Sequence, residues 1–280
     1  MNINKFLYRL LIVFLIAMLL VSGGFVAKYV IEAYQQKNAY DSLAAQVEQI
    51  RASAAETATP PAEVHPLPEA ESNTAASAAT EPDEVVPTEP VMLPEYAALY
   101  AENSDLVGWM VIDGTPINYP VMQTPDRPDY YLKRNFEQQQ NEHGCLYVRE
   151  SCDVFAPSDN VTIYGHHMKD GSMFSSLKKF RKQEFWEEYH TIDFDTLYER
   201  HSYTIFSVFT TSAYKGEGFS YHLFEVAADE AEFDEFVATC KNLSLYDTGI
   251  TPKYGDKLIC LSTCEYSQAQ GRLVVVAMRN

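Results

Sequence analysis

Residues 256–279 read DKLICLSTCEYSQAQGRLVVVAMR, and their reading decides the fold. Two runs rich in β-branched and apolar residues, DKLICLSTC (256–264) and GRLVVVAMR (271–279), flank the polar turn EYSQAQG, which returns the chain antiparallel. Working outward, LVGWMVID (106–113), INYPVMQ (117–123), GCLYVRE (144–150), NVTIYGHH (160–167) and SYTIFSVFTTSA (202–213) have the same character and are bounded by turn residues. Helical patterns interrupt them at EYAALYAEN (95–103), MFSSLKKF (173–180) with QEFWEEY (183–189), and EAEFDEFVATCKNL (230–243). Many short strands with a few helices predict a mainly β fold, a β-barrel with added helices, rather than a parallel α/β sheet. No internal repeat and no phosphate-binding glycine loop is present.

The chain has 280 residues and a formal net charge of -18, which disfavours a sequence-independent grip on nucleic acid or a polybasic contact with anionic lipid. The charge falls into three regimes: +2 over residues 1–51, -8 over 52–94 and -12 over 95–280. Residues 10–27, LLIVFLIAMLLVSGGFVA, carry no charge, and as a helix they are roughly 27 Å long, close to the thickness of a hydrocarbon core. Val21-Ser22-Gly23 offers a competing reading as a signal-peptide cleavage site, but the run is longer than a typical signal core and continues into a helical pattern. The expectation is a short cytoplasmic N-terminus (1–9), a transmembrane anchor (10–30), a juxtamembrane helix (31–51) and a folded domain (95–280) outside the membrane. Residues 52–94, almost purely Ala, Glu, Pro, Thr and Ser without an aromatic, predict a disordered stalk with a reach of up to on the order of 130 Å.

Three residues in the last domain suggest nucleophilic chemistry. Cys264 closes an apolar strand before a polar turn, a rigid mount with an accessible tip. Cys260, four residues earlier in the same strand, is about 13 Å away and cannot bridge to it. Cys240 and Cys260 read as small core residues, while Cys145 and Cys152 either pair across a hairpin or stay free. His166 and His167 follow the strand NVTIYG; in extended backbone they point to opposite sides, so one faces a given thiol. The remaining histidines are scattered without metal-ligand spacing, so neither a metal nor another cofactor is expected. Arg272 opens the strand after the turn, where its guanidinium can steady a thiolate or an oxyanion.

The stretches TIYGHHMKDGSMFSSL, KLICLSTCEYSQAQGRLVVVAM and INYPVMQTPDRPDYYLKRNF resemble segments of class B sortases, membrane-anchored cysteine transpeptidases of Gram-positive bacteria. The resemblance runs in order through residues 95–280. It implies a sortase-like barrel with His166, Cys264 and Arg272 as catalytic residues, and Asn118, Ser262, Glu265 and Tyr221 as substrate contacts. It further implies cleavage of a C-terminal sorting signal after Thr through a thioester. The acyl group would then pass to an amine of a lipid-linked peptidoglycan precursor, so the partners are sorting-signal proteins and that precursor, not nucleic acid. A cell-wall cysteine peptidase and a stalked adhesin without enzymatic activity are the alternatives. The first would place its nucleophile at a helix start, and the second needs none of the three residues.

Overall fold

The computed structural model describes residues 3–57, 90–214, 216–265 and 270–280. A single helix, α1 (Ile3–Thr57), opens the chain. Its side chains are exposed throughout residues 10–27. Among the described residues it is the one helix long and apolar enough to cross a membrane. Further along, Gln36, Tyr40, Leu43 and Val47 are buried. Their spacing of four, three and four residues makes one stripe of an α-helix, and this stripe lies against the rest of the fold. Full burial of a Leu or Val side chain is worth ~1.5–3 kcal/mol, so Leu43 and Val47 alone hold this part of the helix down.

Where the stripe ends, Arg51 reaches across to α2 (Pro94–Glu102), whose proline occupies the first turn, where its missing N–H costs nothing. Arg51 Nε lies 3.2 Å from Glu95 Oε1, and its Nη2 contacts Tyr96 Oη and Asp195 Oδ2. Arg200 pairs with the same Glu95 carboxylate. The helix therefore runs six residues into the stretch expected to be a stalk, and the two flanks of that stretch meet. Residues 58–89 of the expected stalk lie outside the described residues.

Eight strands follow: β1 (Leu106–Val111), β2 (Asn118–Met122), β3 (Leu146–Val148), β4 (Asn160–Tyr164), β5 (Thr191–Thr196), β6 (Ser202–Ser212), β7 (Leu258–Glu265) and β8 (Gly271–Arg279). They close into a barrel in the order β1-β2-β3-β4-β7-β8-β6-β5. The pairs β2/β3 and β4/β7 are parallel, and the rest are antiparallel. Seven of the eight strands are legible in the sequence, though β3 and β4 are shorter than their runs. The eighth, β5, is TIDFDT, in which Ile192 and Phe194 are buried in the core while Asp193 and Asp195 line the cleft against α1. Strict alternation was the signal there, masked by two acids. MFSSLKKF forms a 3₁₀ segment, Phe174–Arg181, followed by α3 (Gln183–Glu188).

Alternation on β7 and β8 divides two cores. Ile259, Leu261, Leu273, Val275 and Ala277 fill the barrel. Leu258, Cys260, Val274 and Val276 face outward beneath α4 (Glu230–Leu243), which buries Phe233, Phe236, Val237 and Cys240 on them. Asp229 caps α4 by accepting from the Glu232 amide at 3.0 Å, and the Glu232 carboxylate accepts from the Ala228 amide at 2.7 Å. All five cysteines are free, so Cys145 and Cys152 do not pair.

Candidate active site

The outward face of β7 is covered by α4 along Leu258 and Cys260, and the cover stops short of the strand's end. Ser262 and Cys264 continue that face, two and four residues on. Cys264 is half-buried, whereas Cys145, Cys152, Cys240 and Cys260 are buried. Burial pushes the Cys145 thiol up to about 12 and the Cys152 thiol up to about 11. Both are locked in the thiol form, which is a poor nucleophile.

Arg272 stands directly opposite Cys264 in the β7/β8 ladder. Opposite residues of an antiparallel pair project to the same side with Cβ atoms about 4.5–5.5 Å apart, so guanidinium and sulfur share one face. Arg272 Nη1 also donates to the Gly271 carbonyl at 3.0 Å. Its other neighbour in the sheet is Thr211 on β6.

The histidines arrive from the other side. Tyr164 pairs in parallel with Ser262, and the Gly165 amide donates to the Ser262 carbonyl at 3.1 Å, which aligns the chain beside the end of β7. A side chain on Gly165 would sit 2.6 Å from Leu146 and Phe174 carbons, so glycine is required for this close approach. Here the backbone leaves the strand, earlier than NVTIYGHH suggests, and the two rings part. His166 Nε2 lies 2.6 Å from the Leu132 carbonyl oxygen, and His167 Nδ1 lies 2.9 Å from the carbonyl oxygen of Cys264 itself. A carbonyl oxygen only accepts, so each of these nitrogens carries its proton. His166 consequently has Nδ1 as its unprotonated nitrogen, while His167 ties the histidine loop to the backbone of β7. The loop is pinned further by Phe174 N to His166 O at 3.0 Å and Ser175 Oγ to Met168 O at 2.7 Å.

Of the expected substrate contacts, Tyr221 and Ser262 come together: their hydroxyl oxygens are 2.6 Å apart, both buried, on the face that leads to Cys264. Burial raises the Tyr221 phenol well above its ordinary range. Glu265 follows Cys264 and forms an ion pair with Arg181 at 3.0 Å. Asn118 lies elsewhere. Its carboxamide oxygen accepts from Trp109 Nε1 at 2.6 Å, and it lines the cleft between α1 and the strands β1 and β5.

Two groups that sequence reasoning did not single out belong to this neighbourhood. Leu132 holds His166 through a backbone atom, which leaves no trace in residue type. His222 follows Tyr221; burial together with the positive charges of Arg149 and Arg272 holds its pKa below the usual imidazole value. A histidine next to the candidate Tyr221 was the available signal.

The sortase-domain family model matches residues 110–280. Sortase B of Staphylococcus aureus (strain NCTC 8325 / PS 47) is 31% identical over 186 residues, covering 66% of this chain and 74% of that protein. Sortase B of Listeria monocytogenes is 31% identical over 176 residues, covering 62% and 69%. Among solved structures, a B. anthracis sortase B superposes with a TM-score of 0.58 at 39% identity, over 66% of this chain and 83% of that one. A Staphylococcus aureus sortase B–substrate complex superposes with a TM-score of 0.70 at 24% identity, over 89% and 98%, a likeness of fold.

Proposed function

This chain belongs to the sortase family, and from that premise we propose that it is a class B cysteine transpeptidase that cleaves sorting signals of surface proteins after Thr. The observation that carries the reading is the pairing of Cys264 with Arg272 across the ends of β7 and β8, with the histidine loop bonded to the Cys264 carbonyl. Cys264 Sγ attacks the carbonyl carbon of Thr, and the oxygen takes up negative charge in the tetrahedral intermediate. Arg272, on the same face, donates hydrogen bonds to that oxygen. His166 Nδ1 takes the proton that Cys264 gives up on attack and, as the carbon–nitrogen bond breaks, passes it to the departing amine, leaving the acyl group on sulfur as a thioester. An amine of a lipid-linked peptidoglycan precursor then attacks the thioester, forms the new amide and releases the Cys264 thiol.

Tyr221 and Ser262 line the approach to the thiol as substrate contacts, with Glu265 at its far side. Asn118 is occupied by Trp109 and takes no part in this scheme. The long apolar helix anchors the chain in the cell membrane with its N-terminus inside, so enzyme, substrate and acceptor meet at the outer face. A solved Staphylococcus aureus sortase B carries its substrate, which supports a sorting-signal ligand here.

Mass spectrometry of the chain incubated with sorting-signal peptides and hydroxylamine tests the reading. A hydroxamate at one Thr bond, absent from Cys264→Ala, is the expected result. Free acid in place of the hydroxamate would make the protein a hydrolase, and no cleavage of any peptide would remove the enzymatic reading.

A further inference from the structure

The helix that enters the bilayer and the helix that docks on the barrel are one element, and this fixes which face of the barrel meets the lipid. The apolar run ends at residue 27. Tyr29, two residues on, stacks on His143 with ring centroids 6.5 Å apart. Lys28, Glu32, Gln35 and Gln36 share a cleft with the chain from Asn135 to Glu142, and Asn141 Nδ2 donates to Gln36 Oε1 at 2.7 Å. At about 1.5 Å per residue, residues 28–36 are the first ~14 Å of helix beyond the apolar run. The barrel therefore begins at the level where the hydrocarbon ends.

The chemistry of the 133–143 segment suits that level. It holds five amides, Asn135, Gln138, Gln139, Gln140 and Asn141, and its charges cancel, Lys133 and Arg134 against Glu137 and Glu142. Lys133 and Glu142 pair at 3.0 Å. A catalytic domain of net charge -12 is repelled by an anionic surface, and a neutral amide-rich face is the part of it that approaches at least cost.

Resting on the reading of α1 as a membrane anchor, we propose that the segment 133–143 is the membrane-facing surface of the barrel, seated against the phospholipid headgroups of the bilayer that α1 crosses. The active site follows it down. Leu132, next in the chain, holds His166, and His143 bonds Asp170 of the histidine loop at 2.7 Å. The substrate bond is thus presented close to the headgroups.

The test places a nitroxide on the full chain in nanodiscs containing phosphatidylglycerol and a nickel-chelating lipid, in a Cys264→Ala background so that the remaining thiols are buried. Gln139→Cys reports the proposed surface. Glu199→Cys, beside Arg200 at the level of Arg51, lies about 36 Å of helix beyond the apolar run. Lys28→Cys reports entry of α1 into the bilayer. Several-fold stronger relaxation by nickel lipid at 139 than at 199 is the expected result, with strong relaxation at 28. Relaxation at 28 but equally weak values at 139 and 199 would overturn the proposal and leave the anchor standing. No relaxation at 28 would overturn the anchor reading and the proposal together. Glu142→Cys gives an independent second position on the same surface.

Discussion

Tyr40, on α1, donates its phenolic hydrogen to the carbonyl of Gly144 at 2.7 Å. That bond supports the histidine site at one remove. The Cys145 amide donates to the Tyr131 carbonyl at 3.1 Å, and Gly144, at φ 61°, packs so tightly on Leu132 that a Cβ would sit 2.5 Å from its carbonyl oxygen. The same oxygen accepts from His166. Replacing Tyr40 with Phe leaves the Gly144 carbonyl buried without its donor, a loss of about 1–3 kcal/mol in stability. Denaturant unfolding of the full chain in detergent should show it, and an unchanged midpoint would mean that the helix is only loosely seated.

Arg272→Lys keeps the charge opposite Cys264 and removes the planar fork. If the guanidinium steadies an oxyanion, kcat falls by about 10²–10³ with little change in KM. Steady-state transpeptidation of a sorting peptide separates this from a binding role, in which KM would rise instead.

Native alkylation should modify one cysteine of five. Cys264 is the half-buried thiol, while burial holds the Cys145 and Cys152 thiols far above neutral pH. Iodoacetamide at neutral pH followed by peptide mapping is expected to place the label on Cys264 alone. Labelling of Cys145 under native conditions would show that α1 leaves the barrel, since Tyr40 covers that sulfur at 3.2 Å.

The sequence made the Cys264 strand and its partner readable because the β7–β8 pair is local: a short connection joins them, and their alternation sets which residues share a face. The histidine strand was readable from the glycine and the apolar run before it. What the residues did not show was how His166 and His167 divide their work, because both rings bond to carbonyls supplied from distant points of the chain, Leu132 and Cys264. The docking of α1 was hidden for the same reason. Gln36, Tyr40, Leu43 and Val47 make only a weak stripe, and the ion pairs that complete it, from Arg51 to Glu95 and Asp195, span 44 and 144 residues. Asn118, drawn to the site by the resemblance, accepts from Trp109 and lines the cleft under α1.

The clamp that Arg51 and Arg200 make on Glu95 should be visible in the pH dependence of stability. Burial works to raise the Glu95 pKa, but the hydrogen bonds and charges of Arg200 and Arg51 outweigh it and hold the value below the ordinary 4.5. A carboxylate with a depressed folded pKa contributes stability above its unfolded value and loses it as pH falls through the folded one. Glu95→Gln should therefore lower Tm at neutral pH, and the gap to the unsubstituted protein should narrow below about pH 4. Thermal melts across that range decide it; a gap that widens in acid would contradict the ion-pair account.

The meeting of Arg51 and Glu95 also sets how freely the connection between them can change. Closing a loop costs entropy that grows only with the logarithm of its length, about 0.6 kcal/mol for each doubling. Because Arg51 and Glu95 are held together, a change of length between them leaves the positions of Cys264, His166 and Arg272 untouched. The length of that connection is therefore only weakly constrained by the energetics of the fold.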